Sequence, residues 1–171
     1  MTEQKICNLI ASKIKRSDNL LDVGCGEGYL CNCLAQKLQK PVVGLDISNK
    51  GFNKAHTLCK KFKTCNLIEC WRGKAEHLGK IAGKKKFDVI TFVHSFHHTG
   101  NTRRALEQSK KNLREGARII IVEFSPERGK KEDDCRRFTI GFIVGLLFKN
   151  AFRDIHLEQP EDGLLFIVAK L

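Results

Sequence analysis

A glycine-rich segment that directly follows a short apolar run constrains the fold of this chain most strongly. The run Leu20–Val23 leads into Gly-Cys-Gly-Glu-Gly at residues 24–28, and Tyr29–Leu38 then has the apolar spacing of a helix. Glycines at a strand-to-helix turn let the backbone turn sharply and approach a ligand closely. The N–H groups at the start of the helix favour a carboxylate or a phosphate. The segment therefore predicts a ligand site at the end of a first β-strand.

The rest of the chain alternates strand-like and helical runs. Further strands are predicted at 41–45, 66–70, 87–93, 117–124, 152–158 and 164–170, and further helices at 52–62, 101–113 and about 132–149. Apolar strands that alternate with helices indicate a parallel sheet covered on both faces. Only a short turn separates the last two strands, so they must be antiparallel. We predict an α/β fold, a doubly wound seven-stranded Rossmann-like sheet with an antiparallel C-terminal hairpin.

Length and cysteine usage limit the class of protein. A chain of 171 residues corresponds to a single domain, with an N-terminal helix in 1–18 and a core in 19–171. No run approaches the ~20 apolar residues of a spanning helix, and the start lacks the apolar core of a signal peptide, which predicts a cytoplasmic protein. The eight cysteines form no CxxC pair. We expect free buried thiols, without a structural metal or a disulfide framework.

The spacing of the glycines separates the candidate ligands. The pattern Gly24-x-Gly26-x-Gly28 differs from the GxGxxG of dinucleotide sites and from the P-loop, and Asp22 precedes it. With Asp46 ending the second strand, it resembles the class I S-adenosylmethionine-dependent methyltransferases, most closely the small-molecule, quinone-biosynthesis-like subgroup. Five segments carry the resemblance in order along the chain, at 21–29, 43–48, 73–78, 87–98 and 113–126.

The resemblance implies a methyltransferase fold with S-adenosyl-L-methionine as cofactor. It places the methionine part of the cofactor over Asp22, Gly24, Cys25 and Gly26, and the ribose hydroxyls on Asp46. It also implies that adenine packs on Ile47, and that the end of the fourth strand contributes Val93 and His94. Lys74 stands where the family commonly has an aspartate that accepts from adenine. A charged lysine only donates, so either the backbone of Ala75 and the side chain of Glu76 replace that acceptor, which we expect, or the chain recognises adenine loosely.

Three histidines follow the predicted fourth strand, on the side where the methyl group would lie. Methyl transfer from a sulfonium mainly requires alignment of donor and acceptor, but an oxygen or acidic-carbon acceptor also needs a general base. Histidine titrates near neutral pH, which makes His94 and His97 candidate catalytic residues. The alternative is that these histidines only shape the pocket.

We therefore predict methyl transfer to a small-molecule acceptor and keep two alternatives. An RNA methyltransferase is suggested by the formal charge of +12, from 31 Lys and Arg against 19 Asp and Glu, and by basic residues expected at the active-site rim, Arg103, Arg104 and the 128–137 cluster. A non-catalytic scaffold or activator subunit is suggested by Lys74 and by the few residues left to cover the site. The segment 136–149 is apolar all round if helical, which predicts a homodimer contact, a partner subunit, an apolar substrate or a membrane surface on its outer face.

Overall fold

Seven strands form one sheet in the computed structural model, which describes residues 1–126 and 136–171. The strands are β1 (Leu20–Val23), β2 (Val42–Asp46), β3 (Ile68–Arg72), β4 (Phe87–Val93), β5 (Leu113–Phe124), β6 (Arg153–Glu161) and β7 (Leu164–Lys170). The helices are α1 (Glu3–Ser12), α2 (Tyr29–Leu38), α3 (Lys50–Phe62), α4 (Leu78–Ala82), α5 (Thr102–Asn112) and α6 (Ile140–Lys149). Two short 3₁₀ turns, Ala75–His77 and Phe96–His98, follow β3 and β4.

The order of the strands confirms the predicted fold and locates the ligand site. The strands lie in the order β3-β2-β1-β4-β5-β7-β6. The first five are parallel, and β7 is antiparallel to both β5 and β6. The chain winds outward from β1 to β3 and then returns to place β4 on the other side of β1. The carboxyl ends of β1 and β4 therefore meet at the switch point where open α/β sheets bind ligands.

Each face of the sheet carries its own apolar core. On one face, Leu78 of α4, Leu106 of α5 and Leu147 of α6 pack against apolar side chains of the strands. On the other face, Ile10 of α1 and Leu34 of α2 belong to a second buried cluster. The two cores hold the carboxyl ends of the parallel strands in fixed positions.

The last helix is shorter than predicted. The sequence indicated a helix from about 132, but α6 begins at Ile140, and residues 132–135 of that prediction lie outside the described part of the chain. Thr139 has extended backbone angles, and its hydroxyl accepts a hydrogen bond from the N–H of Phe142 at 3.2 Å. This N-cap starts the helix, so residues 136–139 precede it. Among the described helices, none is long and apolar enough to cross a membrane.

The expectation of free thiols is wrong for four of the cysteines. Disulfides join Cys7 to Cys33 and Cys59 to Cys65. The first connects the buried faces of α1 and α2, and the second closes the turn after α3. Cys25, Cys31 and Cys70 are free, and Cys135 lies outside the described residues. Disulfides persist in oxidising compartments, so this finding weighs against the cytoplasmic location, which stays a prediction.

Candidate functional site

The glycine loop after β1 lies tightly against its neighbours. The N–H groups of Gly24 and Cys25 both donate to the carbonyl of Leu45 on β2, at 2.7 and 3.1 Å. Gly24 has a φ of +74°, and a Cβ at this position would lie 2.4 Å from the Cβ of Ser95. Ser95 is itself fixed, since its hydroxyl donates to the carbonyl of Val23 at 2.6 Å. A side chain at Gly24 would therefore push the loop away from the β4 end.

Asp46 at the end of β2 presents an oriented carboxylate next to this loop. Its Oδ2 accepts the N–H of Gly26 at 2.9 Å, and its Oδ1 accepts the N–H of Ser48 at 2.9 Å. Each oxygen keeps a further lone pair, because an ionised carboxylate offers about four acceptor positions. The two backbone donors thus fix the carboxylate without exhausting its capacity to accept.

Asp22 lies beneath the loop and is buried. Its Oδ1 accepts the hydroxyl proton of Thr91 at 2.7 Å, and its Oδ2 lies 3.7 Å from the Cys31 thiol. Burial raises the pKa of Asp22 to about 6, although the hydrogen bonds from Thr91 and Cys31 oppose this shift. The charge of Asp46 adds a smaller increase. Asp22 is therefore mostly ionised at neutral pH but protonates under mildly acidic conditions.

Two adjoining cavities open around these residues. The larger, of about 520 Å³, extends from the loop towards the turn after β3, and the smaller, of about 280 Å³, lies beneath α1. Gly24, Gly26 and His94 line both. The other predicted cofactor residues are divided between the larger cavity, with Asp46, Ile47, Ala75 and Glu76, and the smaller, with Asp22, Cys25 and Val93. The structure thus brings together all ten residues that the sequence assigned to the cofactor.

The side chains at the far end of the larger cavity have other partners. Glu76 accepts the N–H of Asn101 through Oε1 at 2.8 Å, which ties the turn after β3 to the start of α5. Lys74 is exposed and also lines the cavity. One oxygen of the Glu76 carboxylate therefore already holds the start of α5. The role of Glu76 as the acceptor for adenine stays a prediction.

The three histidines after β4 occupy different positions. His94 has a φ of +50°, lines both cavities and stacks on Phe124, with ring centroids 4.2 Å apart. His97 lines neither cavity, since its Nδ1 lies 2.6 Å from Oε2 of Glu123. His98 lines the larger cavity, and its ring centroid lies 4.0 Å from that of His97. The structure therefore places His94 at the site and His97 behind it.

Glu123 is a residue that sequence reasoning missed. Its side chain is 3% exposed, and Oε1 accepts the N–H groups of Phe96 and His97 at 2.8 and 3.3 Å. A carboxylate only accepts, so Nδ1 of His97 donates to it as well. Glu123 therefore holds the 3₁₀ turn that carries His98 into the cavity wall. A single acidic residue at the end of the apolar strand ARIIIVEF was the available signal.

Helix α1 forms part of the wall of the smaller cavity. It contributes Glu3 and Ile6, and the hydroxyl of Tyr29 donates to Oε1 of Gln4 at 2.9 Å. The Cys7–Cys33 disulfide fixes the same helix to α2. The site is therefore more covered on this side than the sequence indicated, because residues near the N-terminus fold over it.

Comparisons with known proteins agree with this geometry. A family model described as a methyltransferase domain matches residues 3–167. The chain belongs to this family. The methyltransferase domain is similar to 27-O-demethylrifamycin SV methyltransferase of Amycolatopsis mediterranei (strain S699), with 27% identity over 126 residues, 72% of this chain and 46% of that protein. It is 30% identical over 137 residues to the chloroplastic 2-phytyl-1,4-beta-naphthoquinone methyltransferase of Arabidopsis thaliana, covering 78% of this chain and 50% of that protein.

A solved structure shows the same fold at low identity. The O-methyltransferase family protein from Burkholderia thailandensis superposes with a TM-score of 0.79 at 10% identity, over 98% of this chain and 55% of that chain. The methyltransferase domain spans about half the length of the curated relatives it matches.

The cofactor of the methyltransferase domain is S-adenosyl-L-methionine, the methyl donor of this family. The residues present fit it. Gly26 lines both cavities, and a Cβ there would meet no atom of the described chain within 4 Å, so a ligand can approach its backbone closely. Asp46 offers an acceptor-only group beside the glycine loop. Carboxylates of Asp22 and Glu3 line the smaller cavity, which suits a ligand with a cationic end, while Glu27 is paired with Lys54.

Proposed function

We propose that the methyltransferase domain transfers a methyl group from S-adenosylmethionine to a small-molecule acceptor. The observation that carries this proposal is the meeting of two cavities at Gly24, Gly26 and His94. One cavity carries the oriented Asp46 carboxylate and the other the buried Asp22. A ligand with a ribose at one end and an amino acid at the other matches this division. We also propose that residues 1–171 act as a single domain.

The larger cavity would hold the adenosine part. Asp46 accepts from the two ribose hydroxyls with the lone pairs that Gly26 and Ser48 leave available. Ile47 is 66% exposed at the cavity, and covering it with the adenine ring removes apolar surface from water. The bound cofactor supplies a methyl group already activated by the adjacent sulfonium.

The smaller cavity would hold the amino acid part. Asp22 and Glu3 present carboxylates to a bound ammonium group, while α1 keeps water away from it. A cation next to Asp22 favours the ionised form and lowers the raised pKa of this residue. Cofactor binding should therefore release a proton in mildly acidic solution.

His94 is the side chain that we propose as the general base. It lines both cavities, so it reaches the region between the two ends of the cofactor, where the methyl group is presented. Phe124 holds its ring in one plane. His97 was predicted to share this role, but its contact with Glu123 supports a positioning role instead.

A small-molecule acceptor agrees with the relatives, which are methyltransferases of a rifamycin and of a naphthoquinone. The RNA alternative gains no support from the described residues. Arg103 at the rim forms an ion pair with Glu107 at 3.1 Å, and of the 128–137 cluster Arg136 and Arg137 are the basic residues that lie in the described part of the chain, whereas residues 128–131 lie outside it. The scaffold alternative predicts a folded protein that transfers no methyl group.

Calorimetric titration of the purified chain with S-adenosylmethionine and S-adenosylhomocysteine tests the proposal. We expect one site per chain, and Asp46→Ala should weaken binding about a hundredfold through the loss of two hydrogen bonds to a charged acceptor. Asp154→Asn removes a carboxylate that pairs with Lys170 on the last two strands, and should leave affinity unchanged. A folded wild-type protein that binds neither compound at millimolar concentration would contradict the proposal.

A further inference from the structure

Exposed apolar side chains concentrate on one part of the surface. Five large hydrophobic side chains are exposed among the described residues, and Ile47 lies in the cofactor cavity. The other four belong to α6 and β6, namely Ile140 at 37%, Phe142 at 47%, Phe148 at 51% and Leu157 at 39%. Single exposed apolar residues need no explanation, but a cluster marks a surface that contacts something. We call these four residues the α6 patch.

The members of the α6 patch lie on one face of the sheet. Leu157 pairs in register with Ile167 of β7, and paired residues share a face. Ile167 is buried in the same cluster as Ile143 and Leu147, which are the inward residues of α6. Leu157 therefore lies at the edge of the sheet, on the face that α6 covers.

Cations adjoin the part of the α6 patch that lies on α6. Next to Leu157, the carboxylates of Asp154 and Glu158 are paired with Lys170 and Lys13. Residues 136–153 contain Arg136, Arg137, Lys149 and Arg153 and no Asp or Glu, a net charge of 4 − 0 = +4. The guanidinium of Arg153 lies over the Phe148 ring, 5.7 Å from its centroid. That of Arg136 lies 5.8 Å from the centroid of Phe138, which stacks on Phe142. Positive charge thus adjoins the apolar surface at both ends of α6.

The combination of exposed apolar side chains and positive charge distinguishes between the possible binding partners of the α6 patch. A second copy of the chain on the same patch would bring two +4 segments together without a carboxylate in either. A nucleic acid would satisfy the charge and could stack bases on Phe142 and Phe148, but it would leave the aliphatic side chains of Ile140 and Leu157 without an apolar partner. A bilayer with anionic headgroups supplies both partners, because apolar side chains enter its boundary while cations remain among the headgroups.

We propose that the α6 patch docks the domain on an anionic lipid bilayer. The proposal is independent of methyl transfer, since it rests on surface residues outside both cavities. The patch is connected to the 3₁₀ turn after β4 through Phe138, which stacks on Phe142 and lies with its ring centroid 6.0 Å from that of Phe96. Docking would bring that edge of the sheet close to the lipid surface.

Vesicle flotation with the full chain tests the docking. We expect binding to vesicles of phosphatidylcholine mixed with phosphatidylglycerol, reduced by added salt, and weak binding to phosphatidylcholine alone. The double variant Phe142→Ser with Phe148→Ser should abolish flotation. Arg136→Gln with Arg153→Gln should weaken it about thirtyfold, from the loss of two cations near the charged surface. Circular dichroism and thermal unfolding, which these surface changes should leave intact, verify that the variants are folded.

A matched control removes two cations elsewhere. Lys60→Gln with Lys61→Gln changes exposed residues on α3, at the opposite edge of the sheet, and should retain full flotation. Three results would overturn the proposal. These are no flotation with anionic vesicles, equal loss in the Lys60 and Lys61 control, and a dimer or RNA complex of the wild type that only the Phe142 and Phe148 variant loses while vesicle binding persists.

Discussion

Burial of Asp22 makes the stability of the protein depend on pH. The pKa of this carboxyl rises from 3.8 to about 6 in the folded chain, mainly because burial disfavours its charge. Between these values the folded state binds a proton that the unfolded state has lost, so stability falls as the pH rises. Above the folded pKa the full cost, ~3 kcal/mol at most, is present.

Asp22→Asn should remove this dependence. The amide oxygen can still accept from Thr91, while no charge has to be buried. We expect urea unfolding to show that the variant gains stability relative to wild type as the pH rises from about 4 to 7. The variant should also bind S-adenosylmethionine more weakly than wild type, because it lacks the carboxylate proposed to face the ammonium group. An unfolding difference that is constant across this pH range would contradict the assignment of the raised pKa.

Glu123 should act on the site through the loop that it holds. Glu123→Ala leaves the N–H groups of Phe96 and His97 and the ring of His97 without their common acceptor, which should cost about 2 to 4 kcal/mol of stability. Glu123→Gln keeps one acceptor oxygen and should lose less. The matched change Glu115→Gln, at an exposed position of the same strand, should have no effect on thermal unfolding or cofactor affinity. Equal behaviour of the Glu123 and Glu115 variants would show that the loop does not depend on this carboxylate.

The histidines show how much of the site can be predicted from the sequence at the level of single residues. Their position after β4 was predictable, since that strand is apolar, β-branched and ends at Val93. Which ring reaches the cavity was not, because the orientation of the turn depends on Glu123 of a different strand. His98 rather than His97 therefore lines the larger cavity.

At the scale of the elements, the glycine loop separates the cost of a positive φ from the cost of a steric contact. Gly24 and Gly26 both have positive φ, at +74° and +51°, but only a Cβ at Gly24 meets a neighbour. Gly24→Ala should therefore destabilise the protein more than Gly26→Ala and should abolish cofactor binding. Thermal unfolding and calorimetry of the two variants measure the difference. Equal destabilisation would mean that the contact with Ser95 does not restrain the loop.

The Cys7–Cys33 disulfide should stabilise the packing of α1 on α2. Its sequence separation of 26 residues corresponds to about 3 to 4 kcal/mol from the loop-closure entropy of the unfolded chain. Cys7→Ser with Cys33→Ser should lower the unfolding free energy accordingly, whereas Cys70→Ser should not. Mass spectrometry of the unreduced chain should find both disulfides, and free thiols at all four positions would contradict the pairing.

Elements with a strong apolar pattern were predictable, and those fixed by their neighbours were less so. The bounds predicted for β1, α2, β4 and β7 agree with the structure. Strand β3 begins two residues later than predicted, since the N–H of Leu67 closes a turn on Thr64 and pairing with β2 starts at Ile68. The helix α4 was missed because a segment of five residues is too short to show the apolar periodicity of a helix.

For the whole molecule, alternation of strands and helices predicted a parallel sheet, and the short turn before β7 predicted the hairpin. The disulfides were not predictable, because their cysteines are brought together by the packing of α1 on α2 and by the turn after α3. The division of the site into two cavities likewise depends on α1 crossing the end of the sheet.

A crystal structure with S-adenosylhomocysteine would show directly that one cofactor occupies both cavities. We expect both ribose hydroxyls within hydrogen-bond distance of the Asp46 carboxylate, and the amino acid end beneath α1 near Asp22. The sulfur should lie where the cavities meet, beside Gly24 and His94. A ligand bound elsewhere, or cavities that stay empty at saturating concentration, would contradict the account.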